Sequence, residues 1–324
     1  MTKFVLCGTG WRAQFYMRVA LAFPEDFQIV SVYTRRHDEI GRLRSLGYNA
    51  TDSLEYALSS DNDGVIVSSG EEGFLPLLEN LSERGCHILS ETSFLSLSES
   101  ELDRAQKIEG FAMEQYWHTP LYASIRKALP LIGRVESVYL SALHNHHAAS
   151  ILRGIFPGKE IKEVRRVLDS SFPSLKTGSR PGLVRTGEME EYRRKITLVE
   201  FRTGEVFIND FSSTQYHSYI IPSHIEIRGE RGSITERGVT FIGDDAYPVR
   251  EDFVFNRDSM RINHTTTLTH VTLGGDVVFR NDFYPSALDD DEIAIASMLR
   301  EFSEGRLDYS ISDAVADARI GKLL

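Results

Sequence analysis

Cysteine is almost missing from this chain: Cys7 and Cys86 are the only two in 324 residues, and both sit inside apolar runs. Two such cysteines cannot build a disulfide framework or a multi-cysteine metal site, and the pattern suits a reducing cytosol. Basic charge is also in deficit, with 36 Lys and Arg against 47 Asp and Glu, a formal net charge of -11 and a pI near 5.4. That balance argues against nucleic acid or an anionic membrane as the partner. No apolar run is long enough to span a bilayer, and the N-terminus lacks a basic segment followed by an apolar signal core. The expectation is therefore an unprocessed, soluble, cytoplasmic protein. Internal repeats and low-complexity linkers are lacking as well. What remains is ordinary for a globular protein, 41% hydrophobic and 26% charged, at a length that suits two domains.

The stretch Lys3 to Ala13, KFVLCGTGWRA, carries the strongest local signal. Four apolar residues, Phe4 to Cys7, run into Gly8-Thr9-Gly10 and then straight into a helical pattern. That order delivers a dinucleotide pyrophosphate to a helix N-terminus. Gly8 permits the tight turn, Gly10 lets backbone approach phosphate, and Ala13 lets helix and strand pack. Trp11 and Arg12 are candidates to cover the pyrophosphate, with plain packing the alternative for Trp11.

Helical spacing of Phe15, Val19 and Ala22 stops at Phe23-Pro24, and Gln28 to Tyr33 predicts a second buried strand. Thr34-Arg35-Arg36 then occupy the place where an NAD-binding unit has an acidic residue for the ribose hydroxyls. Guanidinium groups pair with a 2'-phosphate that a carboxylate would repel, so the cofactor predicted is NADP or NAD, with NADP preferred. A solvated loop after a strand is the other reading of the two arginines. Asp52 to Glu55 resembles a capping box, Gly64 to Val67 is a continuous apolar strand, and Ser68-Ser69-Gly70 follow at the ligand-binding end. Phe74 to Arg84 is helical, Cys86 to Glu91 is a strand, and Ser98 to Glu101 caps a helix leading to Phe111-Ala-Met-Glu-Gln115. This alternation predicts a Rossmann-type, doubly wound parallel sheet over residues 1-118.

Residues 119-324 read differently. A helix over Leu121 to Leu131 and a strand over Val135 to Leu143 are followed by His144, His146 and His147 at a strand-to-helix corner. Hairpin signals recur around Thr203-Gly204, Gly229 to Gly232 and Gly274-Gly275. These predict an α+β domain with an open, mostly antiparallel sheet, one face on helices and the other able to meet a second copy. Asp289 to Glu292 caps a late helix, and Ile311 to Leu324 is a terminal one.

Together, GTGWRA, DGVIVSS, HILSETS and MEQYWHTP resemble the glucose-fructose oxidoreductase and inositol dehydrogenase family, Gfo/Idh/MocA. RRKITLVEF, RGERGSI and LDDDEIAIA look like a branch with Glu-Thr in place of the family's Glu-Lys. The resemblance implies an NAD(P)-dependent oxidoreductase that moves hydride between nicotinamide and a small polyhydroxylated or carbonyl compound, as a homo-dimer or tetramer. It also implies that Glu91 and Gln115 help hold the cofactor. The family's lysine position holds Thr92, and its Asp-x-Gly-x-His-x-x-Asp pattern falls on Leu143, His147 and Ser150, so only the histidine survives. A hydride step needs a proton partner at the oxygen. His147 takes that role here, with Thr92, Tyr116 and His118 placing the substrate. A three-histidine metal site and satisfied structural histidines are the alternatives; without a nearby carboxylate, no metal ligand set is assigned. The second functional reading is a dinucleotide-binding sensor, regulatory or assembly protein that has lost turnover.

Overall fold

The computed structural model describes residues 1–260 and 265–324, and they divide into two compact units. The first takes Met1–Pro120, Asp258–Leu268 and Asn281–Ala316; the second takes Leu121–Arg257, Thr269–Arg280 and Asp317–Leu324.

The first unit is built on six parallel strands: β1 (Thr2–Cys7), β2 (Phe27–Tyr33), β3 (Ala50–Thr51), β4 (Gly64–Val67), β5 (Ile88–Ser90) and β6 (Phe111–Ala112). Their order is β3-β2-β1-β4-β5-β6, the doubly wound arrangement with its switch point between β1 and β4. Phe4 to Cys7 and Val65 to Val67 are fully buried, as a sheet covered on both faces requires. The crossovers are α1 (Ala13–Ala22), α2 (His37–Ser45), α3 (Leu54–Leu58), α4 (Phe74–Glu83) and α5 (Glu99–Ala105). Ser98 and Glu101 form the expected capping box of α5. At α3 the cap is Ser53, whose hydroxyl accepts from Tyr56 N at 3.2 Å, one residue later than the Asp52 reading. The helix starts at Leu54, so the N-cap is Ser53 and the amide it satisfies is that of Tyr56, where the Asp52 reading had assigned Glu55.

A later helix, Asp290–Ser303, completes this unit and packs on α1. Its capping box is Asp289 with Glu292. Phe302 fills the space left by the missing side chain of Gly64 and meets the rings of Phe4 and Phe111, at 5.8 and 6.0 Å.

The second unit centres on eight strands: β7 (Val135–Ser141), β8 (Ile161–Leu175), then β11 (Met189–Phe201), β12 (Val206–Ser212), β13 (His224–Gly229), β14 (Gly232–Thr235), β15 (Gly238–Ile242) and β16 (Pro248–Asp252). The pair β9 (Gly178–Ser179) and β10 (Gly182–Leu183) stands apart. The order is β16-β15-β14-β13-β7-β12-β11-β8, antiparallel except where β12 runs parallel to β7. The predicted open, mostly antiparallel sheet is thus observed. Val138, Leu140, Val199, Phe207, Ile225 and Ile227 share one face and are buried; Tyr139, Leu198, Ile208 and Glu226 share the other and are half-buried. The helices are α6 (Pro120–Ala128) and α7 (Asn145–Ile155). Hairpins turn at Thr203-Gly204 and Gly274-Gly275, where the pattern places them.

Candidate nucleotide site and histidine corner

The site in the first unit begins with a close approach. Gly8 has φ of 123°, and a Cβ there would stand 2.2 Å from the Ser68 carbonyl oxygen. The chain leaving β1 is therefore pressed against the chain leaving β4, which only glycine permits. Gly10 has nothing within 4 Å of where its Cβ would be, so its backbone faces open space at the entrance to α1. The positive end of that helix points toward the same region.

A cavity of about 410 Å³ lies there, within the usual range for a small-molecule site. Gly8, Thr9, Gly10, Thr34, Arg35, Arg36, Ser68 and Ser69 line it, as does Cys7, whose burial pushes its thiol up to about 12. Gly70 completes the wall with Tyr33, Gly73, Pro76 and Leu77, of which the last four were not read from sequence. The usable signal was position: 70–77 follow β4 directly, at the carboxyl end where ligands of such sheets bind. Arg35 crosses from the end of β2 to the start of α4, donating to the Glu72 carbonyl at 2.8 Å. Arg36 reaches Asp38 at 3.0 Å and Glu39 at 3.5 Å. Thr34 accepts from the Arg36 amide at 3.2 Å.

The lining fits a dinucleotide. Ser68 Oγ and Ser69 Oγ are buried without a hydrogen-bond partner among the described residues, and a buried hydroxyl in that state is costly unless a ligand satisfies it.

Trp11, Arg12, Glu91 and Gln115 lie outside this wall. Trp11 is exposed and meets Phe15 edge to face at 5.3 Å. Arg12 turns inward: its Nε donates to the Glu91 carboxylate at 3.2 Å, and its Nη1 is 3.8 Å from Asp291. Glu91 also accepts from the Tyr16 hydroxyl, one helical turn beyond Arg12. Burial pushes the Glu91 carboxyl up, against the opposing pull of Arg12 and Tyr16. Burial likewise raises the Tyr16 phenol. Arg12 is thus held between the buried Glu91 carboxylate and the half-exposed carboxylate of Asp291. Tyr16 as a partner of Glu91 and Asp291 as a partner of Arg12 were not read from the sequence, because Glu91 and Asp291 are far from α1 in the chain.

Gln115 is buried after β6, and its side-chain oxygen is without a partner among the described residues. Thr92 follows Glu91 at the start of the 3-10 turn Ser93–Ser96 and is half-buried. Tyr116 and His118 lie in the 3-10 turn Tyr116–His118; the Tyr116 amide donates to Glu114 at 3.4 Å, and His118 Nδ1 is 3.7 Å from Glu301.

His147 belongs to the second unit, in the first turn of α7. Asn145 opens that helix with φ of 46°, a backbone state that asparagine tolerates. The rings of His144 and His147 are 5.5 Å apart, those of His146 and His147 4.0 Å, and His144 also meets Phe211 and Tyr216. Arg153, further along α7, is 2.9 Å from the buried carboxylate of Asp317. Gln215 turns inward, its amide donating to the Ser141 and Pro222 carbonyls. Leu143, at the family's first aspartate position, is buried.

A scan against models of known families gives no match, and a search of curated protein sequences gives none either. Solved structures do match over nearly the whole chain. An oxidoreductase from Agrobacterium radiobacter in complex with NAD+, L-tartaric acid and magnesium aligns with a TM-score of 0.66 at 14% identity, covering 99% of this chain and 94% of that one. A levoglucosan dehydrogenase in complex with NADH gives 0.65 at 15%, covering 99% and 95%. An inositol dehydrogenase homolog from Azotobacter vinelandii, complexed with NADH and myo-inositol, gives 0.64 at 12%, covering 99% and 94%. These structures are of the Gfo/Idh/MocA type, and the resemblance read from the sequence holds at the level of the fold.

Proposed function

We propose that the chain is an NAD(P)-dependent oxidoreductase of the Gfo/Idh/MocA family, acting on a small polyhydroxylated or carbonyl compound. The observation that carries this reading is the glycine turn pressed on Ser68, with Gly8, Gly10, Ser68 and Ser69 lining a cavity at the switch point of the sheet. The fold shared with dehydrogenases that hold NAD+ or NADH supports it. A bound nicotinamide supplies the hydride acceptor or donor. The chain's part is to hold the dinucleotide through backbone amides and serines, and to keep a proton partner beside the substrate oxygen. His147 has that role. An imidazole can accept a proton from a hydroxyl or donate a hydrogen bond to a carbonyl. Thr92, Tyr116 and His118 orient the substrate.

Arg35 and Arg36 favour NADP, because both guanidinium groups stand on the wall where a 2'-phosphate would be read. Titrating the protein with NADPH and NADH, before and after Arg36→Ala, tests this. NADPH binding tighter than NADH, with the preference falling about tenfold in the variant, is expected for one lost charge-assisted contact. NADH binding tighter than NADPH in the wild type would overturn the preference. The half-buried face of the second unit's sheet suits contact with a second copy in a dimer or tetramer, and the protein is read as cytoplasmic. No helix among the described residues is long and apolar enough to cross a membrane.

A second reading, a dinucleotide sensor or assembly protein without turnover, is favoured by one observation. Buried Leu143 and Thr92 occupy the two positions where the family resemblance calls for ionisable side chains. Hydride exchange with any sugar, cyclitol or carbonyl compound would rule it out.

A further inference from the structure

The last helix, Ile311–Leu323, holds a buried glycine two residues from its end. Glycine inside a helix is destabilising relative to alanine, so Gly321 needs a reason. That reason is contact. A Cβ at Gly321 would stand 2.6 Å from the His146 amide nitrogen, 2.7 Å from the Asn145 carbonyl carbon and 3.0 Å from the His146 Cα. All three atoms are backbone, so no side-chain rotation could make room for it. The peptide that opens α7 is therefore seated directly on the last helix.

The seat itself is tied down. Asp317 lies one turn before Gly321 and so on the same face of its helix; its buried carboxylate is 2.9 Å from Arg153 Nη1, two turns along α7 from His146. Beyond Gly321, the Leu324 carbonyl accepts a buried hydrogen bond from the Thr197 hydroxyl of β11 at 2.9 Å. The Leu323 carbonyl accepts from Arg166 Nη2 of β8, also at 2.9 Å. Residues 317–324 are thus fixed to two strands of the sheet and to α7 at two heights.

What they hold is a constrained corner. Asn145 has φ of 46°, a left-handed state that persists where the surrounding structure fixes it. His146 and His147 follow at once, their rings 4.0 Å apart. In a helix the direction of a side chain is set by the backbone beneath it, so any shift of the Asn145–His146 peptide is passed to the neighbouring His147. We infer that residues 317–324 are a clamp that aims the His147 imidazole, with Gly321 as its positioning residue. The missing side chain sets how closely the last helix approaches, and hence where the ring points. The inference rests on the reading of His147 as the proton partner and names what positions it.

NMR of the histidine rings in the full-length protein, labelled with carbon-13 at Cε1, tests this without any substrate. The signals of His146 and His147 are assigned through His146→Gln and His147→Gln. Gly321→Ala is expected to displace both, while His270, bonded to the Thr269 hydroxyl at 2.9 Å, keeps its own. The kcat of hydride exchange is expected to fall about 10²-fold, the cost of misplacing a reacting group by about 1 Å, with NADPH affinity unchanged. A slack contact would give the opposite result. Alanine would then raise the unfolding temperature, as in an open helix, and leave every ring signal in place, which would overturn the clamp. Thr197→Val, which removes the bond to Leu324, is expected to displace the same two signals by a smaller amount. If Gly321→Ala does not fold, this second variant decides alone, and unmoved signals would overturn the clamp. Turnover that survives His147→Ala would take the proton transfer from His147 yet leave the clamp on its ring standing, so the two readings fail separately.

Discussion

The glycine turn of the first unit and the histidine corner of the second are made from different materials. The turn is defined by backbone: Gly8 against the Ser68 carbonyl, Gly10 open to the cavity, and amides at the start of α1. The corner is defined by side chains: three imidazoles within 6 Å of one another, packed against Phe211 and Tyr216. A backbone site tolerates wide variation in sequence, provided a few small residues stay where the chains touch. A side-chain site changes its chemistry with each replacement, and here the lysine and aspartates implied by family resemblance have given way to Thr92, Leu143 and Ser150. The lesson is that the two proposed parts of the site, for binding and for turnover, can be tested separately, because they rest on different kinds of structure.

The largest effect that separates the two is expected from Gly8→Ala. Its Cβ would collide with the Ser68 carbonyl at a φ that L-residues rarely adopt, costing about 1–3 kcal/mol in backbone strain alone before the clash is relieved. NADPH binding by fluorescence titration is expected to vanish, and the unfolding temperature to fall. Gly10→Ala, with open space around it, is expected to fold normally yet bind more weakly. Equal unfolding temperatures for Gly8→Ala and the wild type would break the account of the turn.

Next is His147→Ala, expected to leave NADPH affinity and unfolding temperature nearly unchanged while lowering kcat by about 10²–10⁴-fold, the usual worth of a positioned acid or base. Turnover that survives the substitution would move the proton transfer elsewhere.

A smaller loss is expected from Tyr16→Phe, which removes a buried donor from Glu91 and leaves Arg12 as its partner. About 1–3 kcal/mol of stability, read from denaturant unfolding, is the usual worth of such a deletion. Retained stability would mean that Tyr16 is not bonded to Glu91 as described.

The smallest concerns acid. In the second unit Lys159 and Thr203 bond to the Glu205 carboxylate and hold it down to about 2. A carboxylate with a depressed folded value stabilises the fold above its ordinary pKa, near 4.5, and that stabilisation fades as pH falls toward 2. Glu205→Gln is expected to flatten this part of the acid-unfolding curve, followed by circular dichroism. An unaltered curve would remove Glu205 from the account.

Much of the first unit was legible in the chain because its signals are local. A buried parallel strand must be continuously apolar, a tight turn must have glycine, and a helix start must satisfy its first amides, so Phe4 to Ala13, Gly64 to Ser69 and the box at Ser98 announce themselves. The hairpins at Thr203-Gly204 and Gly274-Gly275 were legible for the same reason. The length of β8 and of the first half of β11 was not, because their apolar residues do not alternate with polar ones and so mark no strand face.

The sequence by itself determined the glycine turn after β1, the alternation of strands and helices around it, and the change to hairpins after residue 118. Tertiary structure alone decided that Asp290–Ser303 returns to cover the first sheet, with Phe302 over Gly64, and that Asp291 takes up Arg12. Local propensity reports what a segment can become. Which distant segment fills a particular void, or neutralises a particular buried charge, depends on shape and desolvation that exist only once the chain has closed on itself.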